Sequence, residues 1–300
     1  MFKYHISPAE HLNGTVRVSG SKNSALPIIT AAMLCEGSST LYGVPDLLDV
    51  RHLCELIRYC GGTAERNLDG SLSVSMDKLK HASPSYELVS AFRASFLLMA
   101  PLLARFGKVR LPLPGGCQIG LRPIDLHLKG FAALGAKIRQ GHGYVEAKCE
   151  RLKGAKIYLD FPSVGATENI LIAAATADGE TVIENAATEP EIVDLANFLN
   201  RMGADIKCAG CDTIHITGVK EMTPCGHTII PDRIEAGTFM AAAALCKGDI
   251  TIENVVPDHL KPVISKFEEM GIIVTPGESS LHIQAKERYS ATDIKTMPFP

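Results

Sequence analysis

Three hundred residues, 46% of them hydrophobic, are enough chain for about two globular domains with real cores. Thirty basic against thirty-three acidic side chains leave a formal charge of -3, which excludes a global basic field for nucleic acid or an anionic membrane and makes any phosphate recognition local. The first residues carry no apolar signal core, the near-apolar run 94–104 is far short of a membrane span, and nine irregularly spaced cysteines fit a reducing compartment, so the chain is expected to be cytoplasmic.

In chain order the sequence repeats itself. An alanine-rich apolar helix closes on a glycine four times, at Gly37, Gly107, Gly179 and Gly248, with spacings of 70, 72 and 69 residues. A short strand rich in β-branched residues follows each glycine, then a second helix that opens near Asp49, Asp125, Glu191 or Asp258 and ends at Gly61, Gly135, Gly203 or Gly271. A hairpin completes each copy, over 63–74, 136–147, 204–216 and 272–283, where apolar positions alternate around a turn. Each copy therefore reads helix, strand, helix, strand, strand, an α/β (α+β) repeat architecture. A fourth copy standing alone is expected to leave Phe239, Met240 and Leu245 short of packing partners.

The first copy opens on Gly20-Ser21-Lys22-Asn23. The turn is not a Walker loop, because the second glycine and the Lys-Ser/Thr order are missing, yet a helix N-terminus beside the Lys22 ammonium suits an anion. A solvated lysine near a helix cap is the plainer alternative. The corresponding turns of the later copies are Phe92-Arg93-Ala94-Ser95, Pro162-Ser163-Val164-Gly165 and Pro231-Asp232-Arg233. Equivalent turns of a symmetric scaffold gather at one end, which would bring Lys22, Arg93, Ser163 and Arg233 to one cationic face. Glu168 and Asn169 read more simply as caps of their own helix.

The second copy has 28 residues between its two landmark glycines, against 24, 24 and 23 in the others, and the extra residues fall at Pro114-Gly115-Gly116-Cys117. An insertion in one copy maps to a loop, and loops on a rigid scaffold carry function. A thiol among glycines, five residues before Arg122, is a candidate nucleophile or proton donor; a buried structural cysteine is the alternative. Cys208-Ala209-Gly210-Cys211 has the spacing of zinc and redox sites, but no second half-site accompanies it and Gly210 falls where a hairpin turn is expected. No metal or cofactor is predicted.

These motifs together resemble the enolpyruvyl transferase family, along essentially the whole chain. The resemblance rests on Gly20-Ser21-Lys22-Asn23, Ala104-Arg105-Phe106-Gly107, Leu113-Pro114-Gly115-Gly116-Cys117, Arg122-Pro123-Ile124-Asp125-Leu126-His127, Ser163-Val164-Gly165-Ala166-Thr167, Ile183-Glu184-Asn185-Ala186-Ala187 and Pro231-Asp232-Arg233-Ile234-Glu235. It implies an inside-out α/β barrel in two domains, each of three copies. Residues 22–229 would form the first domain, and 1–21 with 230–300 an incomplete second one. It implies transfer of the enolpyruvyl group of phosphoenolpyruvate to the 3-hydroxyl of UDP-N-acetylglucosamine, with release of phosphate, at the entry to peptidoglycan synthesis. The implied partners are these small molecules only.

By the same resemblance Cys117 is the proton donor and the covalent thiol, open to alkylation by fosfomycin. Lys22, Asn23 and Arg122 hold phosphoenolpyruvate; Arg93, Arg122, Pro123, Ile124, Asp125, Leu126, Ser163, Val164 and Gly165 hold the nucleotide sugar. Two departures stand out. Phe161-Pro162 occupies the place where many members carry a lysine, and the family's sugar-contacting aspartate would fall just after Pro300. The chain is therefore expected to lack the last third of the family pattern and to turn over poorly by itself. A member acting on shikimate 3-phosphate is the nearest rival, although it lacks the glycine-flanked cysteine; a non-catalytic binding protein on the same scaffold is the other.

Overall fold

The computed structural model describes residues 3–5, 7–8, 11–115, 123–285 and 288–299. The chain enters through β1 (Asn13–Arg17), and the first copy follows as α1 (Lys22–Ala31), β2 (Ser38–Tyr42), α2 (Leu48–Cys60), β3 (Thr63–Arg66) and β4 (Leu72–Ser75). A short helix α3 (Tyr86–Ser90) and a 3₁₀ turn, Arg93–Leu98, lead into the second copy: α4 (Met99–Phe106), β5 (Lys108–Pro112), α5 (Asp125–Ala133), β6 (Lys137–Gly141) and β7 (Tyr144–Lys148). After β8 (Lys156–Tyr158) the third copy runs α6 (Val164–Ala174), β9 (Glu180–Glu184), α7 (Pro190–Arg201), β10 (Asp205–Lys207) and β11 (Thr213–Thr217). After β12 (Gly226–Thr228) the fourth is α8 (Arg233–Leu245), β13 (Asp249–Glu253), the 3₁₀ turn Pro257–Leu260 with α9 (Lys261–Glu269), β14 (Ile273–Pro276) and β15 (Ser280–Gln284). All four copies expected from the sequence are present, each with its five elements in the expected order.

Each copy owns a separate sheet, so no continuous ladder closes into a barrel among the described residues; the sheets run β12-β2-β4-β3, β5-β7-β6, β10-β11-β9-β8 and β1-β13-β15-β14. Three sheets gain a parallel edge strand that the repeat pattern does not contain: β12 beside β2, β8 beside β9 and β1 beside β13. These strands are three to five residues of linker, too short to show a period in sequence. One of them ties two copies together. β12, which follows the third copy, pairs with the first, with Gly226 opposite Thr40 and Thr228 opposite Tyr42.

The chain divides into two compact units, Ser21–Ile230 on one side and Met1–Gly20 with Pro231–Pro298 on the other. In the larger unit α1 and α6 are apolar around nearly their whole circumference, and nearly every residue of both is buried. α2 and α7 are instead one-sided and bury only the stripe facing inward. Helices therefore fill the interior, and the sheets lie outside. The smaller unit has its own core of Val18, Ala236, Met240, Ile250, Ile252, Leu281 and their neighbours. Met240 is fully buried in it, contrary to the expectation from the lone fourth copy, because β13 and β15 form the floor on which α8 lies. Leu245, by contrast, is 76% exposed, as that reading anticipated. Among the described residues no helix is long and apolar enough to cross a membrane.

Candidate active site

The first helices of the three copies in the larger unit run in the same direction. Arg105, in the last turn of α4, donates to the carbonyls of Met33 (2.9 Å), Cys35 (3.3 Å) and Met76, so the end of α4 meets the end of the segment begun by α1. Asn169, in the second turn of α6, donates 3.3 Å to the carbonyl of Phe96 in the 3₁₀ turn that precedes α4. The beginnings of these helices consequently share one end of the unit. This is where Lys22, Arg93 and Ser163 lie.

Local chemistry makes each of these starts. Ser21 caps α1 by accepting the Ser24 amide at 3.3 Å, and Lys22 is the first helical residue, half-buried, with Nζ 3.0 Å from Asp49 Oδ2. Asp49 comes from the first turn of α2, so the copy's second helix positions the ammonium of its first. Asn23 beside it is exposed. Ser163 caps α6 by accepting the Ala166 amide at 3.4 Å, while its carbonyl accepts from Thr167. Val164 and Gly165, as the first two residues of α6, have amides with no intrahelical acceptor, the usual setting for an anion at a helix start.

Arg93 reaches across to the start of α5, its Nη2 3.4 Å from the carbonyl of Pro123. Pro123 and Asp125 are exposed, with Ile124 and Leu126 partly buried between them. One turn further on, His127 ties α5 to α6. Its Nδ1 lies 2.8 Å from Asn169 Nδ2, and a Cβ at Gly165 would stand 3.1 Å from its Cε1, a close approach of the start of α6 to the ring. With Asn169 donating, His127 carries its proton on Nε2. Burial first, then the charge of Arg93, pushes its pKa down to about 4, so the imidazole is neutral. Arg93, 123–126 and 163–165 thus form one cluster, centred on a histidine that the sequence reading quoted only as the end of a motif.

Glu168 and Asn169 do not cap α6 as expected; Ser163 does. Both are buried inside the helix, and burial, followed by the charges of Glu191 and Glu189, raises the Glu168 carboxyl well above the usual carboxylate range. A second buried network was not read from the sequence at all. Asp194 of α7 accepts from the Ser24 hydroxyl and the Ile230 amide (3.3 Å) and lies 2.8 Å from His227 Nε2. It binds the first turn of α1, just behind Lys22 and Asn23, to α7 and β12. Its only sequence signal was a polar residue at an inward position of α7.

Cys117 and Arg122 lie outside the described residues. The two ends of their segment do not. Gly115 is so close to α3 that a Cβ there would sit 1.8 Å from the Ser90 carbonyl oxygen, and Pro123 accepts from Arg93. Both ends are therefore moored to residues 90–93, beside the cluster. Phe161 is 61% exposed two residues before Ser163, and its neighbour Asp160 is held 2.7 Å from Lys129 Nζ of α5. Arg233 begins α8 and belongs to the other unit. Among the described residues, no group of three or more His, Cys, Asp or Glu side chains is arranged to hold a metal ion.

Comparison with known proteins bears on the chain as a whole. A family model described as EPSP synthase (3-phosphoshikimate 1-carboxyvinyltransferase) matches residues 6–300. UDP-N-acetylglucosamine 1-carboxyvinyltransferase 1 of Caldanaerobacter subterraneus subsp. tengcongensis is 55% identical over 298 residues, 99% of this chain and 71% of its own length. UDP-N-acetylglucosamine 1-carboxyvinyltransferase 2 of Carboxydothermus hydrogenoformans is 52% identical over 302 residues, 100% of this chain and 72% of its own. Among solved structures, the enolpyruvyl transferase NikO from Streptomyces tendae superposes with a TM-score of 0.81 at 25% identity, over 91% of this chain and 66% of that one. EPSP synthase from Acinetobacter baumannii shares the fold, with a TM-score of 0.71 at 21% identity over 91% of this chain and 64% of that one. The chain thus spans a little over two thirds of these curated relatives and slightly less than two thirds of these solved chains. A family match from residue 6 to residue 300, and relatives more than half identical along nearly the whole of it, make this chain a member of the enolpyruvyl transferase family.

Proposed function

We propose that this chain carries the first-domain machinery for moving the enolpyruvyl group of phosphoenolpyruvate to the 3-hydroxyl of UDP-N-acetylglucosamine, a step of peptidoglycan synthesis. The observation that supports the reading is a geometry of described residues: Gly115 lies against Ser90, and Arg93 donates to Pro123 in the same cluster as the capped start of α6. In the reaction the acceptor oxygen bonds to C2 of phosphoenolpyruvate while a proton is added at C3. Loss of a C3 proton and of phosphate then restores the double bond as an enol ether. Acid at the methylene carbon and positive charge around phosphate and carboxylate are what a protein has to supply.

Cys117 is assigned as the acid and covalent thiol. Lys22, Asn23 and Arg122 are assigned to the phosphoenolpyruvate anion, with Asp49 holding the Lys22 ammonium in place. The Val164 and Gly165 amides suit a diphosphate, and Arg93 with Pro123, Ile124, Asp125 and Leu126 frames the nucleoside side. Neutral His127 supports this wall without adding a charge that would compete with Arg93. The names of the relatives favour the nucleotide-sugar acceptor; the description of the family model favours shikimate 3-phosphate.

Fosfomycin labelling followed by peptide mapping tests the proposal. A single adduct at Cys117, slowed by phosphoenolpyruvate, supports it; labelling spread over the exposed Cys208 and Cys211, or none, overturns it. Equilibrium binding of UDP-N-acetylglucosamine against shikimate 3-phosphate decides the acceptor, and Arg93→Ala is expected to weaken the preferred one about tenfold or more, the scale of a lost charge-assisted contact.

A further inference from the structure

The pair Cys208 and Cys211 has no place in the site described above. Both are exposed free thiols, whereas Cys35, Cys54 and Cys60 are buried and Cys149, Cys225 and Cys246 partly so. Burial pushes the Cys60 thiol up to about 12 and raises Cys35, Cys54, Cys149 and Cys225 as well. Among the described cysteines, the accessible pair is therefore this one.

Its geometry is that of a closed turn. The Cys211 amide donates 3.0 Å to the Cys208 carbonyl, which makes the two cysteines the first and last residues of a β-turn at the end of the β10–β11 hairpin. Gly210, at the third position, has φ of 91°, the value a type II turn requires there. Ends of such a turn have Cα atoms less than about 7 Å apart, and a disulfide spans about 4.4 to 6.8 Å. The turn is also held in place. Gly210 lies so close to α7 that a Cβ would meet Val193 Cγ2 at 2.9 Å, Ala209 packs on the core, and the Asp212 carbonyl accepts the Ala186 amide at 2.8 Å. Among the described residues no third His, Cys, Asp or Glu joins the two sulfurs.

We propose that Cys208 and Cys211 form a reversible dithiol–disulfide site, oxidised by low-molecular-weight disulfides such as glutathione disulfide and separate from the transferase site. One cysteine thiolate attacks the glutathione disulfide, forms a mixed disulfide and expels one glutathione thiolate. The second cysteine thiolate attacks the protein sulfur of that mixed disulfide and expels the other. Two protein thiols become one disulfide, one glutathione disulfide becomes two thiols, and the two protein protons pass to the glutathione thiolates. The preformed turn favours the second step, because closing a pair already held together costs little chain entropy.

Lys207 and Lys220 place both cysteines on one tryptic peptide, 208–220, with no other cysteine. The folded chain is equilibrated in glutathione redox buffers, alkylated and mapped by mass spectrometry. The peptide is expected to lose two hydrogens and both alkyl groups in a single two-electron transition, before Cys149 or Cys225 reacts. Cys208→Ser and Cys211→Ser should each abolish that product and leave a glutathione adduct on the remaining cysteine. Separate glutathione adducts on both cysteines of the unmodified sequence, or no oxidation before the partly buried thiols react, would overturn the proposal. Circular dichroism of the serine variants checks that they fold.

Discussion

α6 and α8 are the same element of two different copies, and their fates differ. Both are rich in alanine and have no sharply separated apolar face; α6 buries nine of its eleven residues, α8 four of thirteen. α6 packs on α1, α4, α5 and α7, whereas α8 lies on β13, β15 and the 3₁₀ turn of its own unit. An apolar helix has no preferred face until neighbours create one. What separates the two helices is the company of other copies, and stability should follow that company.

Several measurements would break or sharpen this contrast. Arg105→Ala should have the largest effect: it strips three backbone carbonyls of a half-buried guanidinium and is expected to destabilise the larger unit by about 3–5 kcal/mol, read by denaturant unfolding. Leu171→Ala in α6, at a fully buried position, should cost about 2–5 kcal/mol, while Leu245→Ala in α8 should stay within about 0.5 kcal/mol. Equal costs would show that α8 is buried in solution and would end the comparison.

The two units should also answer differently to pH. Below about 6.5 the unfolded chain binds a proton that the buried His127 refuses until about 4, so the larger unit loses stability as pH falls through that range, by up to about 3 kcal/mol. Glu168 acts in the opposite sense. Its folded pKa is raised, so its contribution is complete below about 4.5 and is lost as pH rises toward the folded value. His127→Gln should flatten the acid limb only. In the smaller unit the shifted carboxyls are exposed; Asp249, lowered by hydrogen bonds from Gln284 and His282, and Glu269, lowered by Lys266 and Thr292, give stability above about pH 4 that fades in stronger acid. Amide exchange followed across pH reads both units in one experiment.

The smallest expected effect concerns the turn between first helix and strand. Gly37, Gly107 and Gly179 take positive φ there, but the fourth copy puts Lys247 at φ 47°. Lys247→Gly should relieve that strain and slow exchange in β13 by the equivalent of about 0.5–1 kcal/mol, without touching the larger unit.

The repeat was legible because it is written in local chemistry. Helices that end at glycine, strands of β-branched residues and hairpins with a turn residue in the middle need nothing from elsewhere in the chain. The candidate site was legible only in part. Lys22, Arg93 and Ser163 were found through their equivalent places in successive copies, which the shared direction of the helices turns into spatial neighbourhood. Cys117 was singled out as part of an insertion and Arg122 as the cation five residues on; both lie outside the described residues. His127 and Asp194 could not be found this way, since each acts through partners 42 and 170 residues distant in sequence, Asn169 and Ser24.

The amino-acid order alone thus determined the fourfold period and the kind of element at each place within the repeat, because propensity, capping and alternation act over a few residues. Tertiary structure alone decided which apolar helix becomes an interior one, which linkers become edge strands, and which buried polar groups find partners. Those outcomes depend on surfaces that exist only once distant segments have met.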